Sequence, residues 1–208
     1  IAPRVGAAPL MEGLVRHGEA LHGRHLGAAV GHDDKLFLAV FQRFIDQFRK
    51  CCADAAAKIA KKYSLTPLIL PMQASHDTEI SEKLREILRE KGIDAPMYKP
   101  NSAESLICVL ESATIVIGMR LHAVIFASSA SSPVIGLSYD PKVAAFMHEI
   151  GQDYVVDLAK AGEVGAEVTR CAGEIMSRRG EIMREIGEVS ADLRRKAEED
   201  VMRLGRLL

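Results

Sequence analysis

Apolar residues fall into two arrangements along this chain, short unbroken runs and longer stretches in which they recur every three or four positions. The runs are His25–Val30, Thr66–Met72, Ala95–Lys99, Thr114–Gly118, Ser132–Leu137 and Tyr154–Asp157. Each is too short for a helix, and Thr114–Gly118 is dense in β-branched residues, so all six read as strands. Runs without polar alternation belong to strands buried on both faces, as in a parallel sheet. The helical stretches lie between them. Leu36, Phe37, Val40, Phe41, Phe44, Ile45 and Phe48 keep helical spacing after the start signal Asp33-Asp34, and helix continues to Tyr63. A second helix opens near Ser75, buries Ile80, Leu84, Ile87 and Leu88, and closes at Lys91-Gly92. Others start at Ser102, Arg120 and Pro141, the last two ending at Ser129 and Ile150. From Gly162 to Leu208 an apolar stripe (Ile175, Ile182, Ile186, Val189, Leu193, Val201, Leu204) runs through charged surroundings, which predicts a core-packing helix or, as the alternative, a dimerising one.

Strand and helix alternating in this way predict an α/β domain, a Rossmann-like parallel sheet with helices on both faces joined by right-handed crossovers. Three regions follow: residues 1–25 as an N-terminal arm or the remnant of an upstream domain, 26–160 as the Rossmann-like domain, and 161–208 as a helical extension packed on or beyond it. In such sheets ligands collect outside the carboxyl ends of the strands. Attention therefore goes to the loops after Met72, Gly118 and Leu137.

Composition narrows the function. Lys plus Arg total 27 against 28 Asp plus Glu, a balance that argues against nucleic-acid binding by bulk charge. Trp is absent and aromatics make up 5%, so stacking platforms are disfavoured. No apolar run is long enough to span a bilayer, and residues 1–24 lack the apolar core of a signal peptide. Cys51, Cys52, Cys108 and Cys171 form no C-x-x-C pair and are read as reduced, in a cytoplasmic protein. The histidines show no metal-ligand spacing, and the sequence holds no G-x-G-x-x-G, Walker or G-x-S-x-G motif.

The loop after the Thr114–Gly118 run places Arg120 and His122 at a helix start. A helix N-terminus carries unpaired N–H groups and partial positive charge, so a cation there is disfavoured unless an anion accompanies it. A bound carboxylate or phosphate matches the guanidinium fork, and His122 can donate a proton near neutral pH. The alternative is that Arg120 pairs with a structural carboxylate and His122 is a satisfied, half-buried residue. In the next loop, Ser138-Tyr139-Asp140-Pro141-Lys142, Asp140 reads as a helix cap with Pro141 at the first position, and Lys142 is again a cation in a first turn. The third loop, Gln73-Ala74-Ser75-His76-Asp77, reads first as capping by Asp77 and second as site lining.

These residues carry a resemblance. Gly118-Met119-Arg120-Leu121-His122-Ala123-Val124-Ile125-Phe126-Ala127, then Pro133 to Val143 and Gly151-Gln152, resemble the C-terminal half of the polysaccharide pyruvyltransferase family. More narrowly they are similar to enzymes that pyruvylate secondary cell-wall polysaccharide for S-layer anchoring. Leu70-Pro71-Met72-Gln73 with His76-Asp77 resembles an upstream motif of the same group. The resemblance implies a fold similar to the C-terminal domain of the GT-B glycosyltransferases, and a transferase moving pyruvate from phosphoenolpyruvate to a polysaccharide or lipid-linked sugar as a ketal. It implies that Arg120, Leu121, His122 and Lys142 line the donor site, with Ser138, Tyr139, Gln73 and His76 beside them, and that Arg120, His122 and Lys142 carry the chemistry, without metal or redox cofactor. It also implies an N-terminal domain of comparable size, so this chain is expected to be the donor-binding part. Partners expected are the donor, the acceptor, no nucleic acid, and a second copy through the C-terminal helix. The competing expectations are a GT-B-type glycosyltransferase using a nucleotide sugar, for which Glu149 stands late in its helix, and a non-catalytic domain that binds an anion or a partner.

Overall fold

The computed structural model describes residues 49–160 and 162–205. The expected arm at 1–25, the strand at 26–30 and the helical stretch up to residue 48 lie outside the described residues. Within them, helix and strand alternate. Helix α1 occupies residues 49–63 and is followed by an extended segment through Ile69. Then come α2 (Ala74–Glu90), an extended segment through Met97, α3 (Ala103–Glu111), β1 (Val116–Gly118), α4 (Leu121–Ser129), β2 (Val134–Ser138), α5 (Pro141–Glu149), β3 (Val155–Asp157) and α6 (Val164–Gly205). The three strands are parallel in the order β1-β2-β3, with Val116 opposite Val134 and Gly136 opposite Val155. The protein is an α/β, Rossmann-like fold.

Local chemistry sets the element ends. Ser102 and Ser105 form a reciprocal capping box at the start of α3. Asp140 accepts the Lys142 N–H at 2.8 Å and Pro141 holds the first position of α5. Gly92, at φ +73°, ends α2 while Ile93 N–H bonds back to Leu88, a turn that a residue with a Cβ rarely adopts. The expected strands at 66–72 and 95–99 are reduced to one parallel bridge, Ile69 to Met97. Proline explains the shortness: Pro67, Pro71, Pro96 and Pro100 flank the two bridge residues and donate no ladder hydrogen bond.

Burial separates the two faces of the sheet. Ile135 and Leu137 of β2 join Ala55 and Ile59 of α1 and Ile175, Ile182 and Ile186 of α6 in one core. Val134 packs on the opposite face with Val124 and Ala127 of α4 and Val143 and Met147 of α5. The β2–α5 contact is close because position 136 has no side chain: a Cβ there would stand 2.9 Å from Met147 Cγ and 3.1 Å from Val143 Cγ1. Helix α6 is interrupted at Arg178 (φ −120°, ψ 18°), so the single expected helix is two rods. The next residue, Arg179, donates to the carbonyls of Thr114 and Ala113 at 3.0 and 3.2 Å and ties the break to the segment entering β1. Val201, Met202 and Leu204 near the end of α6 are exposed.

Candidate functional site

Chain direction through the sheet places the site. The sheet β1-β2-β3 and the isolated bridge Ile69–Met97 are both parallel, and the segments at Ile69 and at β1 line one cavity. Crevices outside the carboxyl ends of parallel strands are where ligands bind in open α/β sheets.

Two charged side chains meet there. Arg120 is the N-cap residue of α4, directly beyond β1, with extended backbone (φ −84°, ψ 137°). Asp77 is in the first turn of α2, beyond the Ile69 segment. The Arg120 guanidinium donates through Nη2 to Asp77 Oδ1 at 2.5 Å and through Nε to Oδ2 at 3.3 Å, so one edge of the fork is filled. Asp77 Oδ2 also accepts the Gln73 N–H at 2.8 Å, a reach back to the residue that starts α2. The Asp77 side chain is 17% exposed and that of Arg120 is 35% exposed, which leaves the rest of the guanidinium open to the crevice. Hydrogen bonding to Asp77, and secondarily the electrostatic influence of Asp77 and Tyr139 against a desolvation cost, hold the Arg120 guanidinium above its ordinary value.

The other expected residues distribute as follows. His122 is exposed at the second position of α4. Leu121 is half-buried against the Val124 and Val143 core, which makes it a packing residue. Lys142 is 77% exposed in the first turn of α5, and its Nζ stands 4.0 Å from Asp140 Oδ2. Ser138 donates its hydroxyl to the Asp140 carbonyl at 3.0 Å and shapes the turn. Tyr139 is exposed. Gln73 is exposed as the N-cap residue of α2, and His76 lies in that helix's first turn. Arg120, Asp77 and Gln73 are thus joined by hydrogen bonds, while His122 and Lys142 stand in the first turns of α4 and α5 and Tyr139 in the loop after β2, at the same sheet edge. Asp77, an acid in a first turn after an extended segment, accepts the Gln73 N–H as the expected cap and also partners Arg120, and only the fold shows that this turn abuts Arg120. Among the described residues no three His, Cys, Asp or Glu side chains gather as a metal ion requires.

Beneath Arg120 and Asp77 opens a cavity of about 630 Å³, walled largely by apolar side chains of α1, α2 and α3 and by the segments 66–70 and 114–118. His122, Ser138, Tyr139 and Lys142 are not among its walls. The polar edge and the apolar cavity therefore meet at the Arg120–Asp77 pair.

This edge lies in a stretch that known sequences recognise. Residues 41–141 match the family described as Polysaccharide pyruvyl transferase. The match supports the resemblance carried by the two motifs and a general transferase role. It includes Asp77, Arg120, His122 and Tyr139 and ends one residue before Lys142. No curated protein and no solved structure matches the chain. No helix among the described residues is long and apolar enough to cross a membrane.

Proposed function

We propose that the carboxyl edge of β1 and β2 binds phosphoenolpyruvate, and that the chain is the donor-binding part of an enzyme transferring pyruvate to a cell-wall polysaccharide sugar as a ketal. The observation that carries this reading is Arg120, a half-exposed guanidinium at a helix N-terminus, outside the carboxyl end of β1. Phosphoenolpyruvate holds a carboxylate and a phosphate on adjacent positions. The open edge of Arg120 takes one anionic group and the exposed ammonium of Lys142 takes the other, with N–H groups at the starts of α4 and α5 adding donors. Asp77 keeps the guanidinium fork oriented without neutralising its open side.

The chemistry then needs a proton on the methylene carbon, attack by a sugar hydroxyl on the neighbouring carbon, and departure of phosphate with the bridging oxygen. A second hydroxyl of the same sugar closes the ketal. His122 is the proton donor in this scheme, since imidazole gives up a proton near neutral pH. Arg120 and Lys142 stabilise the charge that builds on the departing phosphate. The acceptor is a polysaccharide or lipid-linked sugar, and the reaction belongs in the cytoplasm, where the donor is made.

Calorimetry on the full chain tests the donor site. Phosphoenolpyruvate is expected to bind, and Arg120→Ala to weaken that binding about tenfold or more, as loss of a charge-assisted contact does. Lys142→Ala is expected to weaken it by a smaller factor. In a turnover assay with acceptor, His122→Gln is expected to keep donor binding and lose the ketal product; unchanged turnover removes the acid role. Binding of a nucleotide sugar in place of phosphoenolpyruvate, or silence to both, overturns the reading.

A further inference from the structure

The last turns of α6 run past the domain that the rest of the helix helps to build. Ile182 and Ile186 are buried in the core, and Val189 and Leu193 are half-buried against α4 and α5. From Arg194 to Leu204 every residue except Glu199 is exposed, with Val201 at 68% and Leu204 at 62%. At about 100° per residue, Leu193, Ala197, Val201 and Leu204 fall on one face of this stretch. One flank of the face carries Arg194 and Glu198, and the other carries Lys196 and Asp200. Each flank therefore sets a cation one turn ahead of an anion. Arg195 and Glu199 lie on the far side and bond to each other there.

We propose that this face pairs with the same face of a second copy of the chain, antiparallel about a two-fold axis at Ala197. Charge order carries the argument. A two-fold interface brings each flank against its own copy. With Ala197 on the axis, Arg194 stands about 3 Å along the helix from Glu198 of the partner subunit. Lys196 stands at the same offset from Asp200 of the partner subunit, and symmetry repeats both pairs. A parallel pair sets one flank against the other instead. Arg194 then meets Lys196 of the partner subunit and Glu198 meets Asp200 of the partner subunit, so like charges face each other. The flanking charges thus select the antiparallel arrangement, as they do in paired helices generally. Val201 comes level with Leu193 of the partner subunit and covers the part that its own domain leaves open. Ala197, with only a methyl group, lets the two backbones approach at the axis. Arg194 and Glu198 enter no ion pair among the described residues, whereas Lys196 bonds to Asp192 at 2.7 Å and Asp200 lies 3.8 Å from Arg203, so that flank exchanges partners on pairing. The face is about 17 Å long, a small interface, so association is weak and depends on concentration. The pairing is independent of which ligand the crevice at Arg120 binds.

Sedimentation equilibrium of the full chain over about 5–500 µM is the test. A monomer–dimer equilibrium is expected. Val201→Glu should raise its dissociation constant about tenfold or more, because a charge then enters the apolar face. Arg194→Glu sets like charges against Glu198 of the partner subunit and should raise the constant about fivefold. Arg194→Glu combined with Glu198→Arg exchanges the two signs and should restore the dimer. Every substituted position is exposed, and far-ultraviolet circular dichroism checks that each variant keeps its helix. A chain that stays monomeric throughout overturns the proposal. So does a dimer unmoved by Val201→Glu or by Arg194→Glu, since its interface lies elsewhere. A dimer that Arg194→Glu tightens overturns it too, because that change relieves the clash with Lys196 in a parallel pair.

Discussion

The contact most open to a quantitative check is the pair Asp77–Arg120. Asp77→Ala removes both hydrogen bonds to the guanidinium and the acceptor of the Gln73 N–H. With the two side chains 17% and 35% exposed, water and salt screen part of the attraction, so the pair itself is worth about 1 kcal/mol. Loss of an acid from the first turn of α2 adds about 0.5 kcal/mol. The Gln73 N–H is exposed and turns to water, at a cost of about 0.5 kcal/mol. Asp77→Ala should therefore cost about 2 kcal/mol and Arg120→Ala about 1 kcal/mol. The double variant should cost about 2 kcal/mol rather than 3, because the shared interaction is lost once. Urea unfolding of the four proteins, with slopes unchanged, reads these differences; each kcal/mol corresponds to roughly 2–4 °C in Tm for a chain of this size. Single-variant effects that add to within about 0.3 kcal/mol refute the pairing and, with it, the idea that Asp77 orients Arg120. High salt should shrink the coupling, since both groups are in partial contact with solvent.

Gly136→Ala forces a Cβ to within 2.9 Å of Met147 Cγ and 3.1 Å of Val143 Cγ1, so we expect a loss of about 1–3 kcal/mol in thermal unfolding; an unchanged Tm contradicts the close β2–α5 packing. Asp140→Ala leaves the Lys142 N–H at the start of α5 uncapped and should cost about 1 kcal/mol, with Asp140→Ser recovering most of it. Burial pushes the Cys52 thiol up to about 12, with Cys51 adding to the shift, whereas Cys108 is exposed. Iodoacetamide at pH 8 should label Cys108 well before Cys52, and equal rates by mass spectrometry refute the half-buried placement of Cys52. The same shift has a sign for stability: below pH 9 both folded and unfolded chains hold the Cys52 proton, and between pH 9 and about 12 only the folded chain does. Stability should therefore fall as pH rises through that window, and Cys52→Ala should flatten the fall.

The sequence by itself determined the class of fold and the ends of its elements. An unbroken apolar run such as Val134–Leu137, short and bounded by turn residues, reads as a buried strand, and the signals at Ser102, Asp140-Pro141 and Lys91-Gly92 act over three or four residues, so they are legible without tertiary information. It also marked Arg120, His122 and Lys142 as cations set against helix N-termini, a local electrostatic conflict visible from position alone. The tertiary structure decided which loops meet. Asp77 and Arg120 are forty-three residues apart, and nothing in the spacing of either motif says that the first turn of α2 abuts the cap of α4. The order of the strands within the sheet is likewise a property of strand placement, which depends on how helices pack across two faces. The prolines beside Ile69 and Met97 were readable, but their effect on the ladder appears only once the strands are laid side by side. The break at Arg178 adjoins the long-range bonds of Arg179 to Thr114 and Ala113, contacts that a helical stripe does not encode. Short-range hydrogen bonding and hydrophobic period are written in neighbouring residues, whereas the site depends on contacts between residues that the chain brings together only by folding.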